Sequence, residues 1–175
     1  MKENIYSKNI LEFVKIANKF CNFSENPDKK NKPEFIEESQ KILSELYLKT
    51  LYLESGFPEY DSETEKFVSE EDWFNIKNTI SRTLAESDIY GEVYENNMTE
   101  PIDISISECF ADIYQDIKDF IELYKISNID AVQIALFEVK DNFERIWGQK
   151  LLFILKELHQ LITSDSDWDE EELYN

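Results

Sequence analysis

The sequence predicts an all-α bundle of about five main helices ending in a long helix, and three observations carry that reading. Only 3 Gly and 4 Pro occur in 175 residues, too few for the turn chemistry that many short strands require. Apolar side chains recur at three- and four-residue intervals over most of the chain, the spacing of a helix face. Leu, Ile, Glu and Lys, which favour helices, are abundant. With 42% apolar residues, 12 Phe, 9 Tyr and 3 Trp, bulky rings are expected to supply much of the buried surface.

The first helix is expected from Ser7 to Phe23, with Ile10, Val14, Ala17 and Cys21 on one face. A polar loop follows from Ser24 to Lys32. Pro33 suits the first position of a second helix, where a missing N–H costs nothing. That helix carries Phe35, Ile42, Leu43, Leu46, Tyr47 and Leu51, and should stop near Ser55 before Gly56 and Pro58. An acidic connector from Phe57 to Val68 leads to Ser69 and Asp72, spaced as a capping box, and Trp73, Ile76, Ile80 and Leu84 mark a third helix. Between Ser87 and Ile104 the periodicity breaks at Gly91, Asn96, Asn97 and Pro101. A long loop is expected there, with a short helical turn over Tyr90 to Tyr94.

Ser105 and Glu108 repeat the capping-box spacing and open a helix with Cys109, Ile113, Ile117, Phe120, Ile121 and Tyr124 on one face. It should end near Ser127. Asn128 then caps a helical pattern that persists to Thr163, which would be ~54 Å long if straight. A domain of this size has a radius of gyration of only about 16 Å, so a bend is expected. The stripe Val132, Leu136, Val139, Phe143 and Trp147, continued at 100° per residue, would place Lys150 among apolar side chains. A turned stripe, with a kink at Gly148, is therefore anticipated. Leu151 to Leu155 is apolar nearly all round, which fits either a buried end or an oligomer interface. Residues 1–163 form the expected domain, and Ser164 to Asn175, with 6 acids and no base, read as an acidic tail.

Charge restricts function. The chain holds 38 acidic and 18 basic residues, a net charge of −20. Residues 1–50 contain 8 acids and 9 bases, so nearly all the excess lies beyond them. Direct nucleic-acid binding needs cations to displace phosphate counterions, and anionic membranes make the same demand, so neither is expected. No run reaches membrane-spanning length, and the N-terminus lacks the greasy core of a signal peptide. Cys21 and Cys109 lie in apolar stripes and read as buried free thiols. A reduced, cytoplasmic setting follows.

The single histidine, His159, is too little for di-iron bundles, which use two Glu-x-x-His motifs, or for His- and Cys-built zinc sites. Its helical position is opposite the apolar side, so it is expected on the surface. Three glycines build no phosphate-binding loop. Glu108, Asp112, Asp116 and Asp119 stack along one helix face, with neighbours ~6 Å apart. Such a row could hold a divalent cation through oxygen ligands, but its angle from the apolar stripe predicts a solvated outer face. Arg145 and Lys150, among the few cations of the acidic portion, are expected to pair with the row. Asp112, Asp116, Asp119, Arg145, Trp147 and Lys150 together make the expected interaction area, and no cofactor or catalytic residue is indicated.

The segments LYLKTLYL (Leu46–Leu53), FVSEED (Phe67–Asp72), FADIYQDIKDF (Phe110–Phe120) and NFERIWGQKL (Asn142–Leu151) resemble an uncharacterised bacterial family, a domain of unknown function found in small acidic all-helical proteins. The likeness runs from Ile5 to His159 and is strongest over Ala111 to Asp119 and Trp147 to Lys150. It implies a small cytoplasmic helical protein, with no activity, cofactor or catalytic residue assigned. The functional expectation is thus a protein-interaction or adaptor module for a partner with a basic surface, self-association through the last helix being possible. Two alternatives are a mimic of nucleic acid that occupies a basic nucleic-acid-binding protein, and a divalent-metal-dependent phosphohydrolase built on Glu108, Asp112 and Asp116.

Overall fold

A computed structural model describes residues 5–54, 64–95, 99–126 and 128–164. The second helix ends at Leu51 with Tyr52 as its C-cap, earlier than the expected stop near Ser55; Gly56 and Pro58, part of the acidic connector and the acidic tail beyond Ser164 lie outside the described residues.

Helix α1 spans Lys8–Ser24, capped by the Ser7 side chain, which accepts from the Ile10 N–H. A 3-10 turn over Pro27–Lys29 leads to α2, Lys32–Leu51, capped by Asn31. Pro33 is therefore the second helical residue, not the first, a position equally tolerant of its missing donor. Helix α3, Glu70–Leu84, opens on the complete capping box: the Ser69 hydroxyl accepts from the Asp72 N–H and the Asp72 carboxylate accepts from the Ser69 N–H. Helix α4, Ile106–Ile126, opens on the same device, with Ser105 and Glu108 bonded reciprocally. Asn128 caps α5, Ile129–Asn142.

Helix α4 is the hub. It packs against α1, α3, α5 and α6, while α2 closes the bundle by packing on α1 and α6. Phenylalanines knit the centre: Phe13 meets Phe120 at 5.2 Å between ring centroids, Phe35 meets Phe23 at 5.0 Å, and Phe110 lies between Phe20 and Phe35. Cys21 and Cys109 are buried free thiols, and burial pushes the Cys21 thiol up to about 12, so neither is primed as a nucleophile.

Two local expectations are corrected. Tyr90–Val93 is a β-strand, β1, paired antiparallel with β2, Ile102–Ser105, where a helical turn was anticipated. The reason is alternation: exposed Glu92 and Asp103 pair on one face while the neighbouring pair Gly91 and buried Ile104 lies on the other, with Val93 also buried, a period of two that a helix cannot satisfy. Gly91 lies against the Phe153 ring so closely that a Cβ would fall 2.3 Å from it.

The second correction concerns the C-terminal run. The interruption is a π-helical segment, Phe143–Trp147, which joins α5 to α6, Gly148–Ser164. Gly148 closes it, donating its N–H to the Phe143 carbonyl five residues back. A Cβ at Gly148 would fall 2.4 Å from that carbonyl oxygen and 3.1 Å from the Phe143 ring, so glycine is what lets the wide turn close. The Trp147 indole donates to the Val139 carbonyl at 3.2 Å. Lys150 does not escape the stripe: it stays on the buried side with Leu151, Ile154 and Leu158. The apolar run from Leu151 is mostly buried, Leu152 alone among these five residues being exposed.

Candidate functional site

The row of acids on α4 points toward the elements packed around that helix. Between them the four carboxylates meet α3, α5, α6 and the segment before α3. Glu108 accepts from Lys77 of α3 at 2.6 Å and from the Ser105 N–H at 3.0 Å. Burial raises the Glu108 pKa, but these two donors outweigh it and hold the group below the usual carboxylate range. One turn on, Asp112 accepts from the Trp73 indole at 2.8 Å and from Lys150 at 2.9 Å. Lys150 also meets Glu95, just past β1, at 2.8 Å. Burial pulls the Lys150 ammonium toward neutrality, yet Glu95 and Asp112 overcome it and its pKa is raised.

Asp116 lies next in the row, partly buried, and accepts from the Asn142 amide at 3.1 Å. Loss of hydration is the main influence on it, with Asp119 and Asp112 adding repulsion, so its pKa is pushed up to about 6. Asp119, only 4% exposed, accepts the backbone N–H groups of Phe67 and Val68 at 2.7 and 3.0 Å. Desolvation raises its pKa in spite of those two bonds. The strap that contains Phe67 and Val68 is fastened again by Glu138 of α5, which accepts from the Thr64 hydroxyl and backbone and from Lys66. Between strap, α4 and α5 lies a crevice lined by Lys66, Asp116, Asp119, Glu138 and Asn142, with room for about one water molecule.

The expectation of a solvated outer row is thus corrected. The side of α4 away from the phenylalanine core is covered by α3, the strap, α5 and α6, and every acid of the row becomes an anchor for one of them. These acids diverge rather than converge. Among the described residues, no group of three or more His, Cys, Asp or Glu is placed to hold a metal ion.

The expected interaction area divides likewise. Trp147 is fully buried, and Asp119 and Lys150 nearly so, so these three serve the interior. Lys150 pairs with the row as anticipated, whereas Arg145 remains exposed and pairs with Asp141 one turn back on its own helical run. His159 is exposed. Lys118, off the row, serves Glu25 and Glu122. Trp73, Lys77, Glu95, Glu138 and Asn142 complete the network without having been singled out from the sequence. Trp73 and Lys77 had a legible signal, an indole and an ammonium one helical turn apart on the same face of α3; the other three depend on tertiary contact.

The molecule is an all-α bundle whose central helix is fastened to its neighbours by a row of internally satisfied carboxylates. The chain belongs to the family described as Domain of unknown function (DUF5063), whose model matches residues 4–164. It is similar to the crystal structure of protein BF1032 from Bacteroides fragilis, at 35% identity over 90% of this chain and 94% of that one, with a TM-score of 0.79. A comparison with curated proteins returned no match. Among the described residues, no helix is long and apolar enough to cross a membrane.

Proposed function

We propose that this protein is a cytoplasmic protein-interaction or adaptor module for a partner with a basic surface. The observation that supports this reading is the charge left over after internal pairing. Most of the 18 basic side chains are already spent in intramolecular ion pairs, Lys30 with Glu38, Lys49 with Glu12, Lys77 with Glu108 and Lys150 with Asp112 among them. Acids outnumber bases about two to one, so the excess faces solvent, as at Glu70 and Glu71 on α3 and Glu92 and Asp103 on the hairpin. Such a field accelerates encounter with a cationic surface and weakens as salt screens it.

Affinity capture with the full chain at low salt, repeated at stepped ionic strength and with duplex DNA or RNA as competitor, tests the proposal. A reproducible protein partner that salt releases progressively and polynucleotide does not displace is the expected result. Displacement by duplex would favour nucleic-acid mimicry instead, and the failure to recover any reproducible partner would overturn the adaptor reading.

A further inference from the structure

The hairpin β1–β2 presents one face to α6 and the other to water. Gly91 and Val93 point inward, Gly91 against Phe153. Tyr90, Glu92 and Tyr94 therefore share the outer face, about 7 Å apart in succession, with the two tyrosines 68% and 57% exposed. Directly across the ladder from Glu92 stands Asp103, also exposed. Opposed residues on one face of an antiparallel pair have Cβ atoms about 5 Å apart, and like charges there repel. No described Lys or Arg pairs with either acid. The two strands thus hold an uncompensated carboxylate pair between two exposed phenol rings.

We propose that this outer face, Tyr90, Glu92, Tyr94 and Asp103, docks an arginine side chain carried on a basic segment of a partner protein. Charge complementarity commits the occupant: a planar guanidinium can bridge two carboxylates and stack on a flanking tyrosine, so one side chain would relieve the cross-strand repulsion and cover exposed ring surface together. A lysine would meet the charge but offers no plane to stack. This inference rests on the adaptor reading, and it names the contact.

The test is an NMR titration of the full chain with a short arginine–glycine peptide, against a control in which citrulline replaces arginine. Shift changes concentrated at residues 90–94 and 103, absent with citrulline, are expected. Glu92→Gln with Asp103→Asn should weaken the peptide about tenfold, and Tyr90→Ala with Tyr94→Ala two- to fivefold, whereas Glu70→Gln with Glu71→Gln on α3 should change it less than twofold. Because the acid pair repels, the Glu92→Gln, Asp103→Asn variant should also melt no lower than wild type, which separates lost binding from lost folding. An equal loss in the α3 variant, or shifts spread over all acidic surfaces, would overturn the proposal, as would concentration-dependent self-association that disappears in the hairpin variants, since a second copy would then be the occupant. If a captured partner binds wild type and hairpin variants alike, this face fails while the adaptor reading stands; if no partner is captured, the adaptor reading fails, and with it this inference.

Discussion

Asp116 and Lys150 show how one side chain's surroundings convert directly into stability. Asp116 has a pKa raised to about 6 in the folded protein, against an unfolded value of about 3.9. The folded state therefore holds a proton that the unfolded state releases between those values, so this contribution is complete below about pH 4 and is lost as pH rises through about 6. Asp116→Asn should consequently gain on wild type as pH increases, by on the order of 1–3 kcal/mol between pH 4.5 and 7.5. Urea unfolding of both proteins at several pH values checks this, and a difference independent of pH would contradict it. Lys150, its side chain 10% exposed and shared by Glu95 and Asp112, presents the converse case. Lys150→Met leaves two carboxylates facing each other beneath the hairpin, and a loss of about 2–4 kcal/mol is expected. Adding Asp112→Asn should restore part of it, a coupling that a double-mutant cycle measures.

The π segment is the element whose sequence and geometry are most tightly tied. A turn with one extra residue leaves ladder bonds displaced, and here Trp147 and Gly148 absorb the displacement, one through its indole bond to Val139 and the other by lacking a Cβ. Alanine is the better helix former by about 1 kcal/mol, so propensity alone predicts that Gly148→Ala stabilises. The 2.4 Å approach to the Phe143 carbonyl predicts the opposite: a loss of about 1–3 kcal/mol, or a melting temperature several degrees lower, measured by thermal unfolding. The hairpin illustrates a different point. Its four-residue strands are too short to be independently stable, and they persist because Gly91 settles on Phe153 and Glu95 reaches Lys150.

Across the whole molecule, the acidic excess beyond residue 50 is a repulsive term spread over many side chains. Screening should relieve it, so the melting temperature is expected to rise between low and moderate monovalent salt. A flat or falling profile would mean that the internal ion pairs, which salt weakens, outweigh the surface repulsion. The same balance bears on function, because a partner that neutralises the surface should stabilise the fold by binding only its native form.

Helix positions, caps and most of the core were legible in the chain because they follow from local spacing: a hydroxyl three residues before an acid, or an apolar residue each turn, means the same thing wherever the helix ends up. The row Glu108, Asp112, Asp116 and Asp119 was legible as a row for that reason. Its orientation was not, since facing water or facing α3, α5 and α6 depends on how many neighbours crowd round α4, and the 3.6-residue period carries no record of them. Lys150 was visible as a charge out of place, but its counter-charges sit 38 and 55 positions earlier in the chain. Nor could the hairpin be read from its own few residues, whose strand pairing is stabilised by packing on α6. Local periodicity and chain chemistry therefore settled the helices, their caps and the charge of this protein, while the hairpin, the π segment and the burial of the acids were decided only by the packing of distant segments, which short-range sequence patterns do not encode.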